Sequence, residues 1–209
     1  SLRTPIAKAF LTEAGYEAAS YGVQVFGGHG YISEWGMEQN LRDARISTLY
    51  EGTTGIQALD LLGRKVLSDN GTTLNVFLEE IQAFCDAHSK TEGVSGLLQT
   101  LRRKCDEWRD LTREISVVAQ ADPNEVGAAS VDYLMYSGYV TLAYFWAKSA
   151  VAAQKALEAG STETSFYRGK LATARFCFEK LLPRTLSLAA SIESGSDALM
   201  EINEDEFVA

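Results

Sequence analysis

Apolar residues recur at helical spacing along almost the whole chain of 209 residues. Ile6 and Phe10 stand one turn apart, and Ala14 and Ala18 continue the stripe, which predicts a first helix from Pro5 to Gln24. Thr4 before Pro5 reads as a helix cap followed by proline at the first helical position. The small residues Ala14, Gly15, Ala18, Ala19 and Ser20 suggest close packing against another helix or a ligand. In Phe26-Gly27-Gly28-His29-Gly30-Tyr31, three glycines break the helix and allow positive φ. A short helix is predicted at Met37 to Arg42, then a connector of extended character from Asp43 to Gly52. Thr53 can cap a helix to about Leu67, weakened by Gly63 in its interior. Ser68-Asp69-Asn70-Gly71 reads as a stop and a turn.

The pattern then lengthens. Leu74, Phe77, Leu78, Ile81 and Phe84 mark one amphipathic helix, and Leu97, Leu101, Cys105, Trp108, Leu111, Ile115 and Val118 mark a second. After a break at Asp122-Pro123, a long helix is predicted from Val126 to about Ala159. It carries Tyr133, Tyr136, Tyr139, Tyr144, Phe145 and Trp146, read as core packing. A loop from Gly160 to Thr164 leads to a helix from Phe166 to about Ser191, kinked near Pro183, and Ser196 can cap a last turn before the acidic tail Glu201 to Glu206. The fold class is all-α, a helical bundle of about five or six helices with no convincing strand. It divides near Asn70 into residues 1–70 and a second, antiparallel bundle over residues 71–209.

Composition narrows the function. At 46% hydrophobic and 22% charged, the chain has the make-up of an ordinary globular protein. Net charge is −9, and Arg102-Arg103-Lys104 is flanked by Asp106, Glu107 and Asp110, so no basic face for nucleic acid is evident. Cys85, Cys105 and Cys177 are widely spaced, with no CxxC or Cys/His cluster; they predict reduced core residues, a reducing compartment and no metal site. No apolar run approaches the roughly 20 residues of a membrane span, and no signal peptide is visible. The chain opens Ser1-Leu2-Arg3 without Met, which suggests a piece of a longer protein; removal of an initiator Met would look the same.

Three constellations carry candidate chemistry. Gln24-x-Phe26-Gly27-Gly28-x-Gly30-Tyr31 exposes main chain to a phosphate or flat ring, or is a helix end plus a turn; it is neither a P-loop nor a Rossmann fingerprint. Arg42-Asp43-Ala44-Arg45 can position an anion, although an ion-pair network is the more common use of such residues. Tyr50-Glu51-Gly52-Thr53 sets a carboxylate at a turn between apolar segments. Desolvation there would raise its pKa towards the range of a general base; the alternative is a helix cap with a solvated Glu nearby.

In this order, and with Ile56-Gln57 next in the chain, these motifs resemble the C-terminal helical domain of the acyl-CoA dehydrogenases over Thr4 to about Lys65. Residues 71–209 are similar, by overall pattern, to the extra helical domain of a longer bacterial subgroup. The resemblance implies an FAD enzyme of the kind used in fatty-acid β-oxidation, which converts an acyl-CoA thioester to a trans-2-enoyl-CoA. It implies that Glu51 is the α-proton base and that its backbone N–H helps hold the thioester carbonyl. It puts Tyr50 and Gly52 beside the substrate, and Gln24, Phe26, Gly27 and Gly28 against the FAD of a neighbouring subunit. Thr53 and Gly55 match a second FAD contact. Branches with their base on another helix lack a glutamate at this position. Expected partners are electron-transfer flavoprotein and a second copy, as a homodimer or dimer of dimers, in a bacterial cytoplasm. The N-terminal helical and middle β domains of the family are not in this sequence, so the isolated chain is expected to be inactive. The rivals are an acyl-CoA oxidase, in which oxygen accepts the electrons, and a non-catalytic helical interaction module.

Overall fold

The computed structural model describes residues 1–207; the last two positions of the second part, Val208 and Ala209, lie outside the described residues. Among the described residues every regular element is helical, as the patterning predicts. The first helical run covers Arg3–Pro5, a π-helical turn Ile6–Phe10 and the helix Leu11–Phe26. Gly28–Tyr31 and Met37–Ile46 come next, then Thr54–Leu59, which passes into a second π-helical segment, Asp60–Val66. Beyond them lie Thr72–Ala87, Ser95–Val118 and Asn124–Glu158. Thr164–Phe176, a π turn Cys177–Leu181, Arg184–Glu193 and the single turn Asp197–Met200 complete the fold.

The Asn124–Glu158 helix is the axis. It is about 50 Å long at 1.5 Å per residue. From Tyr133 to Val140 it buries side chains on nearly every side, as a helix at the centre of a core must. It packs against the π turn of the first run, against Thr54–Leu59, and against the Ser95–Val118, Thr164–Phe176 and Arg184–Glu193 helices. One apolar core therefore runs through both sides of Asn70, from Ile6, Phe10 and Leu61 to Leu78, Trp108 and Leu182. Asn70 and Gly71 both adopt left-handed backbone, and the Gly71 N–H closes on the Val66 carbonyl at 2.8 Å, a polar turn that reverses the chain without interrupting that core. Polar ties cross it as well. Arg3 pairs with Glu80 at 2.9 Å, and Arg184 reaches both Glu17 at 2.9 Å and the Tyr139 hydroxyl at 2.8 Å. The hydrogen bond from Arg184 holds the Glu17 carboxyl below its usual pKa.

Gly138 shows how tightly the first run seats on the axis. A Cβ there would stand 2.8 Å from Phe10 Cβ and nearer still to the ring. Phe10 is itself fixed edge-on to Tyr139 at 4.9 Å between centroids. Gly138→Ala is expected to cost about 1–3 kcal/mol through overpacking. Urea unfolding followed by circular dichroism measures this; wild-type stability would mean that Phe10 does not occupy that seat in solution.

Several expectations are corrected. The helix begins at Arg3, so Thr4 lies inside it and caps nothing; burial of Leu2 and Pro5 draws the chain into helix earlier than the cap signal. The first stripe ends at Phe10. A π turn inserts a residue and rotates the rest of the helix, leaving Ala14 half-buried and Ala18 exposed. Of the small residues, Ala14 and Ala19 are half-buried in a helix that packs on Met37–Ile46, while Gly15, Ala18 and Ser20 are exposed. The 43–52 connector is not extended: the helix continues to Ile46, with Leu41 and Ala44 half-buried, and turns lead on to Glu51. Leu98 rather than Leu97 is the fully buried residue at its level, and Val118 is exposed. Tyr144, Phe145 and Trp146 are consecutive and point three ways, so Tyr144 is buried, Trp146 half-buried and Phe145 exposed. The Ser196 hydroxyl meets Glu125 at 2.9 Å and Asp122 at 3.2 Å instead of capping its helix. The cysteines match the expectation. All three are free and buried, and burial pushes Cys85 and Cys177 up to about 11 and Cys105 to about 12, which makes them inert thiols.

Candidate functional site

The turn at Glu51 combines exposure with an unusual backbone. Ser47, Thr48, Leu49 and Tyr50 close successive turns onto Ala44, Arg45 and Ile46 carbonyls, and the chain then leaves the helical region. Glu51 has φ of 56° and Gly52 has φ of 92°. Among the described residues only Glu51 and Asn70 are non-glycine residues at positive φ. Asn70 ends a helix, where asparagine is at home. A glutamate in the left-handed region costs on the order of 1–3 kcal/mol and persists only when its surroundings enforce it.

Polar ties reaching in from two helices enforce it. Gln57 Nε2 donates to the Glu51 carbonyl at 3.0 Å. Lys8 Nζ, from the π turn of the first run, donates to the Gly52 carbonyl at 2.5 Å. Thr54 Oγ1 donates to Glu13 Oε1 at 2.5 Å. Thr53 Oγ1 accepts from the Ile56 N–H at 3.4 Å, the helix cap expected of it. A side chain at Gly52 would be strained at its φ of 92°, and its Cβ, 2.8 Å from Gln57 Nε2, would push that amide off the Glu51 carbonyl.

Glu51 itself is exposed, and its carboxylate has no hydrogen-bond or ion-pair partner among the described residues, so the expected desolvation is not provided by this chain. The turn leaves Glu51 pointing outward because every tie is made to main chain or to its neighbours. The Glu51 N–H also donates to nothing among the described residues. Tyr50 flanks it, 52% exposed. The site therefore offers a strained, outward carboxylate with an unused backbone donor beside it, suited to proton abstraction next to a developing oxyanion.

The glycine segment separates by cause. Gly27 ends the first helix at φ of 59°, with its N–H on the Gln24 carbonyl at 3.1 Å, as the turn reading expects. Gly30 is buried, where a Cβ would stand 2.9 Å from Val23 Cα and Phe26 Cβ. Gly28 has neither reason: its φ is not positive, and a Cβ there meets nothing within 4 Å. Together with the exposed Gln24 carboxamide and the exposed Phe26 ring, it fits a flat group approaching from outside this chain. Gln24 lies three turns beyond Glu13, about 16 Å along the axis, so an FAD touching both these residues and the Thr53 to Gly55 segment beside Glu13 would meet them at different ends, or as two different molecules. In that sense the residues fit FAD.

The third motif does something else. Arg42, Asp43 and Arg45 form no ion pair among the described residues. Asp43 accepts from Gln39 at 2.6 Å, and Arg45 donates to Thr48 at 3.1 Å while lying 5.4 Å over the Tyr16 ring. One helix places the two arginines three residues apart, and Arg45 is held towards the first run. Lys8 and Glu13 carried no signal in the sequence, since they act across 44 and 41 positions. Gln57 stood inside the motif without a role.

Known proteins share sequence with both parts of the chain. The family described as "Acyl-CoA dehydrogenase, C-terminal domain" matches residues 1–67, and "Acetyl-CoA dehydrogenase C-terminal like" matches residues 77–203. The chain is 38% identical to 3-methylmercaptopropionyl-CoA dehydrogenase of Ruegeria pomeroyi over 94% of its length, covering 33% of that protein. It is 33% identical to a broad-specificity linear acyl-CoA dehydrogenase of Mycobacterium tuberculosis over 99% of its length, covering 35%. A butyryl-CoA dehydrogenase of Syntrophomonas wolfei is 24% identical over 99% of the chain, with 34% of that protein covered. The chain thus spans about a third of the length of the curated relatives it matches.

Proposed function

Because the chain belongs to the acyl-CoA dehydrogenase family, we propose that it carries the catalytic base and part of the flavin contact of a longer enzyme. That enzyme dehydrogenates an acyl-CoA thioester between Cα and Cβ to a trans-2-enoyl-CoA. Glu51 takes the α proton; the strained backbone that presents it is the observation that carries the reading. The Glu51 N–H donates to the thioester carbonyl as negative charge develops there, and its lack of any other acceptor supports this. Tyr50 and Gly52 border the thioester. FAD, when bound, supplies the acceptor for the hydride leaving Cβ. Gln24, Phe26, Gly27 and Gly28 would hold the flavin dinucleotide of a second copy, and Thr53 and Gly55 a second contact, in a homodimer or dimer of dimers. The separation of about 16 Å between the two sets supports separate contacts.

Residues 1–70 are the end of the helical domain bearing the base, and residues 71–209 the added bundle. The two family matches support this division, while the common core makes the parts pack as one body. No described helix is long and apolar enough to cross a membrane. Bacterial relatives and three free thiols support a cytoplasmic setting, with electron-transfer flavoprotein as the electron acceptor. Alone, the chain is expected to be inactive, because Glu51 lies exposed and the relatives are about three times as long.

The test uses the full-length parent. Mixed anaerobically with a panel of acyl-CoAs, its flavin absorbance is expected to bleach with at least one of them and to recover on adding electron-transfer flavoprotein. Stoichiometric peroxide on admitting air would make it an oxidase instead. Silence across linear, branched and sulfur-containing acyl-CoAs would remove the enzymatic reading.

A further inference from the structure

We propose that Lys8 is a positioning residue for Glu51: its ammonium holds the Gly52 carbonyl and so keeps the turn in the conformation that presents the carboxylate. The inference rests on the reading of Glu51 as the base. Lys8 is half-buried, and its Nζ stands 2.5 Å from the Gly52 oxygen in a part-buried bond. Among the described residues it has no ion-pair partner, so its full charge is given to a neutral main-chain oxygen, a charge-assisted bond. A structural lysine on a helix surface ordinarily meets a carboxylate or solvent.

The turn needs such a tie. Glu51 and Thr53 are exposed and Gly52 is only half-buried, so no apolar packing holds positive φ at two consecutive residues. The restraint comes from side chains. Gln57 fixes the Glu51 carbonyl from the next helix, and Lys8 fixes the Gly52 carbonyl from the first run. Glu13, just over one turn beyond Lys8, takes the Thr54 hydroxyl, so one face of the first run grips both ends of the Gly52-Thr53-Thr54 segment. The π turn Ile6–Phe10 supplies the register. It buries Ile6, Ala9 and Phe10 against the core while leaving Lys8 to face the turn. Without Lys8 the Gly52 carbonyl loses its partner, and Gln57 on the Glu51 carbonyl and Glu13 on Thr54 are left to hold the turn, so the placement of Glu51 loosens.

The experiment uses the full-length, FAD-loaded protein in four forms: wild type, Lys8→Met, Lys8→Arg and Glu51→Gln. Flavin bleaching under saturating acyl-CoA is followed anaerobically, with enoyl-CoA dissociation constants, melting temperatures and hydrogen exchange of the peptide covering residues 49–57. Lys8→Met is expected to slow bleaching about 10–100-fold, as small misplacements of a reacting group do. Enoyl-CoA affinity should stay within about threefold and the melting temperature near that of wild type, because the loss falls on the chemical step and not on binding. Exchange in residues 49–57 should rise, and Lys8→Arg should restore most of the rate. Lys8→Gln, neutral and too short to reach, is the second variant should Lys8→Met not fold, with the same expectations. A wild-type rate in the neutral variants beside a slow Glu51→Gln overturns the role of Lys8 and leaves the base in place. A rate loss that tracks a lowered melting temperature without rescue by arginine makes Lys8 merely structural and also overturns it. If Glu51→Gln bleaches as fast as wild type, the base reading falls and the positioning role falls with it.

Discussion

Glu51→Gln in the full-length protein is expected to slow flavin bleaching by acyl-CoA roughly 10²–10⁴-fold, the contribution of a positioned general base. The substitution is unusually clean at this position. The Glu51 side chain makes no hydrogen bond or ion pair among the described residues, so glutamine breaks none. The ties that shape the turn go to the Glu51 and Gly52 carbonyls and to Thr54, and all of them survive. The backbone N–H that would meet the thioester carbonyl survives too. Glutamine keeps the size of the side chain and bears the same positive φ. Acyl-CoA binding is therefore expected to change little, and the loss should appear in the rate of bleaching and not in the concentration of acyl-CoA that half-saturates it. Bleaching at the wild-type rate would leave Tyr50-Glu51-Gly52-Thr53 as a strained helix entry without catalytic meaning.

The contrast between what patterning foretold and what it missed has a physical basis. Long helices in residues 71–207 arise from apolar residues that repeat every three or four positions, and their ends are set by Gly71, Asp122-Pro123 and Gly160, which act locally. The π turns at Ile6–Phe10, Asp60–Val66 and Cys177–Leu181 leave no such mark, because one inserted residue merely shifts the phase of a stripe. That shift is why Ala14 and Ala18 leave the core. The Arg42 to Arg45 motif misled in a related way. Charges close in sequence suggested pairing among themselves, whereas helical geometry sent Asp43 to Gln39 and Arg45 to Tyr16 and Thr48. At the site, periodicity pointed to nothing. Glu51 stood out as a carboxylate at a turn between apolar segments and then through the order of motifs shared with a known family, and Thr53 through its capping chemistry. Lys8 and Glu13 belong to a helical run about forty positions away, so only the fold brings them to the turn. The strain at Glu51 is a product of those contacts and is likewise invisible in the chain.

Trp108→Ala is expected to destabilise the 209-residue chain by about 3–5 kcal/mol, the range for removing a large aromatic side chain from a packed core. Trp108 is fully buried on the Ser95–Val118 helix. Its ring meets Phe77 at 6.3 Å and 90°, and Tyr133 and Tyr136 each at 6.4 Å, so it joins the Thr72–Ala87 helix to the central axis. Those neighbours cannot close the void cheaply. The Tyr133 hydroxyl is tied to Thr112 Oγ1 at 2.6 Å in a buried bond, and Tyr136 donates to the Lys104 carbonyl at 3.1 Å in a part-buried one, so inward movement of either ring would break a hydrogen bond. Phe77 is held from the other side by Tyr144 and by the Arg3 guanidinium 4.8 Å above its ring. The cost should therefore approach the upper part of the range, where a cavity fails to collapse. Trp108→Phe keeps part of the contact and should lose less. Urea unfolding followed by far-ultraviolet circular dichroism reads both variants, with the melting temperature falling roughly 2–4 °C per kcal/mol in a chain of this size. The same core joins the two sides of Asn70, so loosening it should also raise hydrogen exchange in the Thr54–Leu59 helix that packs on the axis. A loss below about 1 kcal/mol would mean that the aromatic cluster repacks freely, against the hydrogen bonds that pin Tyr133 and Tyr136.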